Sequence, residues 1–142
     1  MIEYNKVFVD TNPFIYFIEK NECFYEKVKA FFRFARTNKI LLVSSDITIA
    51  EYCVYPYREN NTALLEAFDR LLRLSQTEIV STNEAIAKRA ARLRAKYQSL
   101  RQMDALQLAT AIETGCDMFY TNDRKLKQID EINVITVDEL QI

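Results

Sequence analysis

Four acids, Asp10, Glu51, Asp104 and Asp123, fall either at the end of an apolar run or inside one. Asp10 directly follows Val7-Phe8-Val9, and Asp123 follows Met118-Phe119-Tyr120 across Thr121-Asn122. Glu51 lies in Ile47-Thr48-Ile49-Ala50-Glu51-Tyr52-Cys53-Val54, a segment so apolar that its side chain is expected to be drawn toward the interior. Asp104 opens Asp104-Ala105-Leu106-Gln107-Leu108-Ala109-Thr110-Ala111-Ile112, whose small and apolar residues predict a helix buried on nearly all sides. A lone buried carboxylate is costly, so such a group is neutralised, paired or bound to a cation. Taken singly, each acid has a structural use. Asp104 suits a helix N-cap, Asp10 and Asp123 suit turns, and Glu51 suits a buried Arg partner. Four such acids near one face of a sheet are better explained by a shared ion, which relieves the repulsion between ionised carboxylates. Ligation by oxygen alone suits Mg²⁺ or Mn²⁺. Ions of that kind activate water and stabilise both the attacking and the leaving oxygen of a phosphodiester.

Two absences narrow the chemistry further. The chain has no histidine, which removes Ser-His-Asp and Cys-His catalysis and every Cys/His zinc pattern. Its single glycine, Gly115, cannot build a P-loop or a dinucleotide-binding turn, each of which needs several glycines. With 142 residues, 49% of them hydrophobic, and a formal net charge of -1, one compact domain spanning 1–142 is expected. A charge so near zero confines any nucleic-acid contact to local basic patches. Cys23, Cys53 and Cys116 are odd in number and far apart, as expected of free buried thiols rather than disulfides. No apolar run reaches the length of a membrane span, and Met1-Ile2-Glu3-Tyr4-Asn5-Lys6 lacks a signal-peptide core, so a cytoplasmic protein with no membrane partner is expected.

The elements that must position the acids follow from hydrophobic period. Lys6 to Val9, Ile40 to Val43, Glu78 to Val80, Met118 to Tyr120 and Asn133 to Val137 read as strands. Helices are predicted over Phe14 to Lys20 behind Thr11-Asn12-Pro13, then from about Glu22 to Thr37, Asp46 to Tyr57 and Thr62 to Leu74. Two more run from the cap Ser81-Thr82-Asn83 to about Ser99, and from Asp104 to Thr114 with a stop at Gly115. Apolar strands alternating with helices predict an α/β fold, a mostly parallel sheet covered on both faces. Ligands of such sheets bind beyond the carboxyl ends of the strands, where Asp10 and Asp123 fall.

Val7-Phe8-Val9-Asp10-Thr11-Asn12, Ser45-Asp46-Ile47-Thr48-Ile49-Ala50-Glu51, Asp104-Ala105-Leu106-Gln107-Leu108-Ala109-Thr110-Ala111 and Phe119-Tyr120-Thr121-Asn122-Asp123, in this order, resemble the PIN domain. Within it they resemble the VapC-type toxins of toxin–antitoxin pairs. The resemblance implies a three-layer fold with five strands ordered 3-2-1-4-5. It also implies Mg²⁺- or Mn²⁺-dependent endoribonuclease activity, inhibition by a small antitoxin protein, and a homodimer. Asp10 and Asp104 would be the principal metal ligands, Glu51 and Asp123 would complete the acidic pocket, and Thr121 and Asn12 would give hydrogen-bonding support. The chain departs from the family at Gln107, where His or another polar residue is frequent, and in its scarcity of glycine. Haloacid-dehalogenase-type phosphatases also begin with a strand-end Asp, but they need a second acid two residues on, where this chain has Asn12. A housekeeping PIN nuclease and a non-catalytic PIN domain are the rival expectations.

For an RNA substrate, Arg124 and Lys125 directly follow Asp123, and Arg101 closes a segment from Lys88 that contains no acid. That segment is equally a solvated helix face, since Arg89, Arg92 and Lys96 recur at helical spacing opposite Ile86, Ala90 and Leu93. Tyr52, Tyr55 and Tyr57 are candidates for base stacking or for packing. The resemblance further implies that apolar faces around Tyr16, Phe17 and Phe24 receive an antitoxin segment or a second copy of the chain.

Overall fold

The structure, a computed structural model, describes residues 3–142. Five strands, β1 (Lys6–Val9), β2 (Leu41–Ser45), β3 (Glu78–Val80), β4 (Met118–Thr121) and β5 (Val134–Thr136), form one sheet ordered β3-β2-β1-β4-β5. All four ladders are parallel, so the expectation of a mostly parallel sheet in the order 3-2-1-4-5 is met in full. Parallel neighbours need crossovers. These are supplied by α1 (Thr11–Ile18), α2 (Tyr25–Thr37), α3 (Asp46–Tyr52), α4 (Val54–Arg58), α5 (Thr62–Leu74), α6 (Glu84–Lys96) and α7 (Gln102–Glu113), and by a 3-10 turn over Arg124–Gln128.

Alternation along the strands divides the core in two. Val7, Val9, Leu42, Met118 and Tyr120 face a cluster with Phe14, Val28, Phe31 and Phe68, contributed by α1, α2 and α5. Phe8, Val43, Phe119 and Val134 face Ile86, Ala90, Leu93, Leu108 and Ala109, contributed by α6 and α7. The result is three layers. Phe31 of α2 stacks on Tyr120 with ring centroids 4.0 Å apart, so the apolar side of α2 faces the sheet.

Several boundaries differ from the sequence expectation, each for a local reason. α1 starts at Thr11 rather than Phe14, because Asp10 is its cap and Pro13 falls among the first turn's unpartnered N–H positions, where it removes no helical bond. α2 starts at Tyr25 because Asn21 Oδ1 accepts from the N–H of Cys23 and of Phe24, holding a turn. Ser44 and Ser45 belong to β2 and are fully buried. The helix expected over Asp46 to Tyr57 is broken at Cys53, one turn before Pro56, whose ring would clash with the carbonyl four residues back. α6 ends at Lys96, short of Ser99. α7 begins at Gln102 with Arg101 as its cap, so Asp104 is not the N-cap. The three cysteines are free as expected, but Cys23 is exposed and Cys53 and Cys116 are only partly buried.

Candidate active site

The strand order reverses between β1 and β4. From β1 the chain builds outward through β2 and β3, then returns to lay β4 on the other side. The crevice at such a reversal, beyond the carboxyl ends of the strands, is where open α/β sheets bind ligands. Asp10 leaves β1 there, with its backbone N–H still donating to Tyr120 O of β4 at 2.9 Å. Its side chain is 8% exposed and held by three donors. Thr11 N and Gln107 Nε2 donate to Oδ1 at 2.9 and 3.3 Å, and Thr121 Oγ1 donates to Oδ2 at 2.8 Å.

The Thr121 hydroxyl also accepts from Asp123 N at 3.1 Å, so one side chain spans the first and fourth acids. Asp123 Oδ1 in turn caps the 3-10 turn by accepting from Lys125 N at 3.0 Å. Glu51 sits one helical turn after the buried Thr48 of α3 and accepts from Thr11 Oγ1 at 2.7 Å. It is exposed rather than drawn inward, because α3 buries Thr48 and Tyr52 and leaves Ile49, Ala50 and Glu51 at the surface. Asp104, half-buried in the first turn of α7, benefits from the positive end of the helix dipole.

The acids raise one another's proton affinity. Burial pushes the Asp10 carboxyl from 3.8 up to about 6; the Thr11 and Thr121 hydrogen bonds oppose the rise, and the charges of Glu51 and Asp104 add to it. Asp104 is raised by burial and then by Asp123 and Glu51, with Arg101 pulling the other way. Among the described residues none of the four forms a salt bridge. Nor do three metal-binding side chains close into a ready-made cage. All four side chains are oxygen donors, the ligand type of small hard cations, which are held by as few as one or two carboxylates.

The PIN domain family profile matches residues 7–132, a span that includes all four acids. This chain belongs to the PIN domain family. Among solved structures, VapBC2 of Rickettsia felis bound to promoter DNA matches with a TM-score of 0.78 at 19% identity, covering 92% of this chain and 98% of that one. DNA-bound VapBC of Salmonella typhimurium matches with a TM-score of 0.72 at 23% identity, over 94% and 98%. The Sarcin-Ricin loop cleaving toxin VapC20 of Mycobacterium tuberculosis gives 0.64 at 17%, over 89% and 98%. At these identities the likeness is one of fold. No curated protein sequence matches the chain at a significant level.

Within this PIN domain the other sequence candidates separate. The Asn12 side chain is exposed and makes no hydrogen bond among the described residues, whereas its neighbour Thr11 holds Glu51. Gln107, noted in the sequence only as a departure, is 1% exposed and touches Asp10 directly. The signal for it was present: a polar residue one turn after Asp104 on an otherwise apolar helix. The cations of α6 are largely spent on acids, with Lys88 paired to Glu84 at 2.9 Å, Arg89 to Glu113 at 3.1 Å and Lys96 to Glu131 at 3.5 Å. Arg101, Arg124 and Lys125 are exposed and lie in the sequence beside Asp104 and Asp123. Tyr52 is a core residue, stacked on Phe68 at 4.2 Å with its hydroxyl donating to Leu64 O at 2.9 Å. Tyr55 and Tyr57 are exposed, as are Ile49 and Val54. Tyr16 and Phe24 stack on each other at 4.8 Å, so the open apolar surface lies on α3 and α4 more than on α1.

Proposed function

We propose that this PIN domain is a Mg²⁺- or Mn²⁺-dependent endoribonuclease, the toxin of a toxin–antitoxin pair acting in the cytoplasm. One observation carries the reading: a buried Asp10, fixed by three donors, feels the charges of Glu51 and Asp104, and among the described residues none of these acids forms a salt bridge. Held that way, the acids favour a divalent cation, with Asp10 and Asp104 as the principal ligands and Glu51 and Asp123 completing the pocket. Such an ion, when bound, supplies the Lewis acid that hydrolysis without histidine requires. Asp10 is oriented by Thr11, Gln107 and Thr121, Glu51 by Thr11, and the Asp123 backbone by Thr121. Arg101, Arg124 and Lys125 would meet the RNA backbone on the two sides of the acids, positioning it without reading its sequence.

The toxin assignment is supported by structural neighbours described as VapBC complexes and, in one case, as a toxin that cleaves the Sarcin-Ricin loop. The exposed apolar residues Ile49, Val54, Tyr55 and Tyr57 suit an antitoxin segment or the second copy of a homodimer. No helix among the described residues is long and apolar enough to cross a membrane. RNA cleavage by wild type and Asp104→Asn, with and without Mg²⁺, tests the reading. Cleavage is expected only for wild type with the ion, and equal cleavage by both proteins overturns it. Growth arrest on controlled expression, absent for Asp104→Asn, tests the toxin role.

A further inference from the structure

An ionised carboxylate has about four lone-pair positions. Three of those on Asp10 are occupied: both on Oδ1, by Thr11 N–H and Gln107 N–H, and one on Oδ2, by the Thr121 hydroxyl. The position left over is on Oδ2. Two of the three donors belong to residues next to the site in the chain, a backbone amide at the start of α1 and a hydroxyl at the end of β4. The third reaches across from α7, and its amide is locked in place. Gln107 Nε2 also donates to Thr48 Oγ1 at 2.7 Å, and Gln107 Oε1 accepts from the Ser45 hydroxyl. Both amide hydrogens and the carbonyl are thus used. Turning the amide over would set its oxygen against a carboxylate oxygen and leave Ser45 facing a donor.

The lock extends to Asp10's own strand. Ser44 Oγ lies 2.8 Å from Val9 O and 2.7 Å from Thr48 Oγ1. A hydroxyl has one hydrogen and a carbonyl only accepts, so Ser44 donates to Val9 and Thr48 donates to Ser44. Gln107, Thr48 and Ser44 then form a directed chain that ends on the residue preceding Asp10. Every member is buried.

We propose that Gln107 is a positioning residue that restricts Asp10 to a single free acceptor and so makes the site prefer small octahedral cations to Ca²⁺. The inference rests on the metal-dependent reading above. Ca²⁺ accepts six to eight oxygens and takes carboxylates through both of them, whereas Mg²⁺-like ions hold one oxygen from each of one or two carboxylates and keep their waters. With Oδ1 saturated, Asp10 offers one oxygen. An apolar residue at 107 frees a second.

Calorimetric titration of Mn²⁺ and Ca²⁺, without RNA, into wild type, Gln107→Met, Gln107→Leu and Ser45→Ala tests this. Wild type is expected to bind Mn²⁺ more tightly than Ca²⁺. Gln107→Met removes both donors, and Gln107→Leu does so with a shorter apolar side chain should the first variant fail to fold. Each is expected to narrow the Mn²⁺/Ca²⁺ affinity ratio about tenfold, the usual scale of an outer-shell contact. Ser45→Ala, which leaves the Gln107 N–H on Asp10, is expected to lower the melting temperature and keep the ratio. Gln107 variants with the wild-type ratio, or a ratio that narrows equally in Ser45→Ala, overturn the inference alone. A wild type that binds neither ion overturns the metal reading and this inference with it.

Discussion

Both ends of the sheet carry acids, and the two sets are treated in opposite ways. At the amino ends of β4 and β5, Asp117 accepts from Asn5 N at 2.8 Å and Glu131 from the Tyr97 hydroxyl at 2.6 Å, with Lys96 Nζ 3.5 Å away. Burial is the largest single influence on Glu131 and raises it, but the Tyr97 hydrogen bond and the Lys96 charge together carry it below the usual carboxylate range. At the carboxyl ends of β1 and β4, Asp10 and Asp104 are raised because they are buried beside other acids. A cavity of about 580 Å³ lies at the amino-end face, lined by Cys116, Asp117 and Glu131. A cavity beside acids thus does not by itself mark the proposed site. What distinguishes the end proposed to be functional is acids left facing one another, a cost to folding that a bound cation would offset.

The largest expected difference between the ends is in rate. Asp10→Asn and Asp104→Asn should each reduce RNA cleavage on the order of a thousandfold, about 4 kcal/mol of transition-state stabilisation. Asp117→Asn should leave kcat within about twofold of wild type, since its carboxylate serves only backbone N–H groups. Initial rates on a labelled RNA at saturating Mg²⁺ measure both. A thousandfold loss in Asp117→Asn would erase the contrast.

Next in size is the dependence of stability on pH. Folding raises Asp10 from 3.8 to about 6, so between those values the folded state binds more protons than the unfolded chain. Stability from this group is therefore full below 3.8 and is lost as pH rises through 6, by about 3 kcal/mol. Glu131 acts in the opposite sense, contributing above its unfolded pKa and losing its contribution on acidification. Urea denaturation of the metal-free protein between pH 4 and 7.5 should show the falling component, and Asp10→Asn should remove it. Mg²⁺ should flatten it in wild type by favouring the ionised form.

The sequence exposes these ends unequally. Asp10 and Asp123 were legible because each follows an unmistakable buried strand, and Asp104 because it opens an apolar helix. Glu51 does meet Thr11 beside Asp10, but not by being drawn inward: its neighbours Ile49 and Val54 are not core but exposed apolar surface. The Gln107–Thr48–Ser44 chain was not legible, since hydrogen bonds between residues about 60 positions apart, such as Gln107 to Thr48, leave no local pattern. The ends of α2 and α5 were read at Thr37 and Leu74, where the structure has them, although Lys39 and Gln76 rather than glycine take the left-handed conformation just beyond. The helix expected over Asp46 to Tyr57 hid the break at Cys53, because proline acts on the turn before it.

Smaller effects test whether the amino-end acids are purely structural. Asp117→Ala removes the acceptor for the N–H groups of Asn5 and Lys6, which lead into β1. The expected loss is about 1 kcal/mol, the net value of a partly exposed hydrogen bond, with cleavage unchanged. A loss of activity without a loss of stability would show that the two ends communicate.

The smallest expected effects lie in the turns that enter the strands from below. Gln76 (φ 54°) precedes β3, Lys39 (φ 56°) precedes β2 and Gly115 (φ 77°) precedes β4, each in the left-handed region just past a helix. A side chain there costs about 1–2 kcal/mol against glycine, but glycine also loses more freedom on folding, so the two effects partly cancel. Gln76→Gly is expected to stabilise by about 0.5 kcal/mol. Gly115→Ala should destabilise by about 1 kcal/mol, and because an added Cβ meets nothing within 4 Å, the whole effect would be backbone strain. Neither change should alter cleavage or the ratio of Mn²⁺ to Ca²⁺ affinity. Opposite signs in thermal melts, at constant activity, would show that these turns set stability while the carboxyl-end face sets chemistry. If Gly115→Ala reduced cleavage more than its stability loss explains, α7 would be transmitting the strain from Gly115 to Asp104, and the two ends would not be independent.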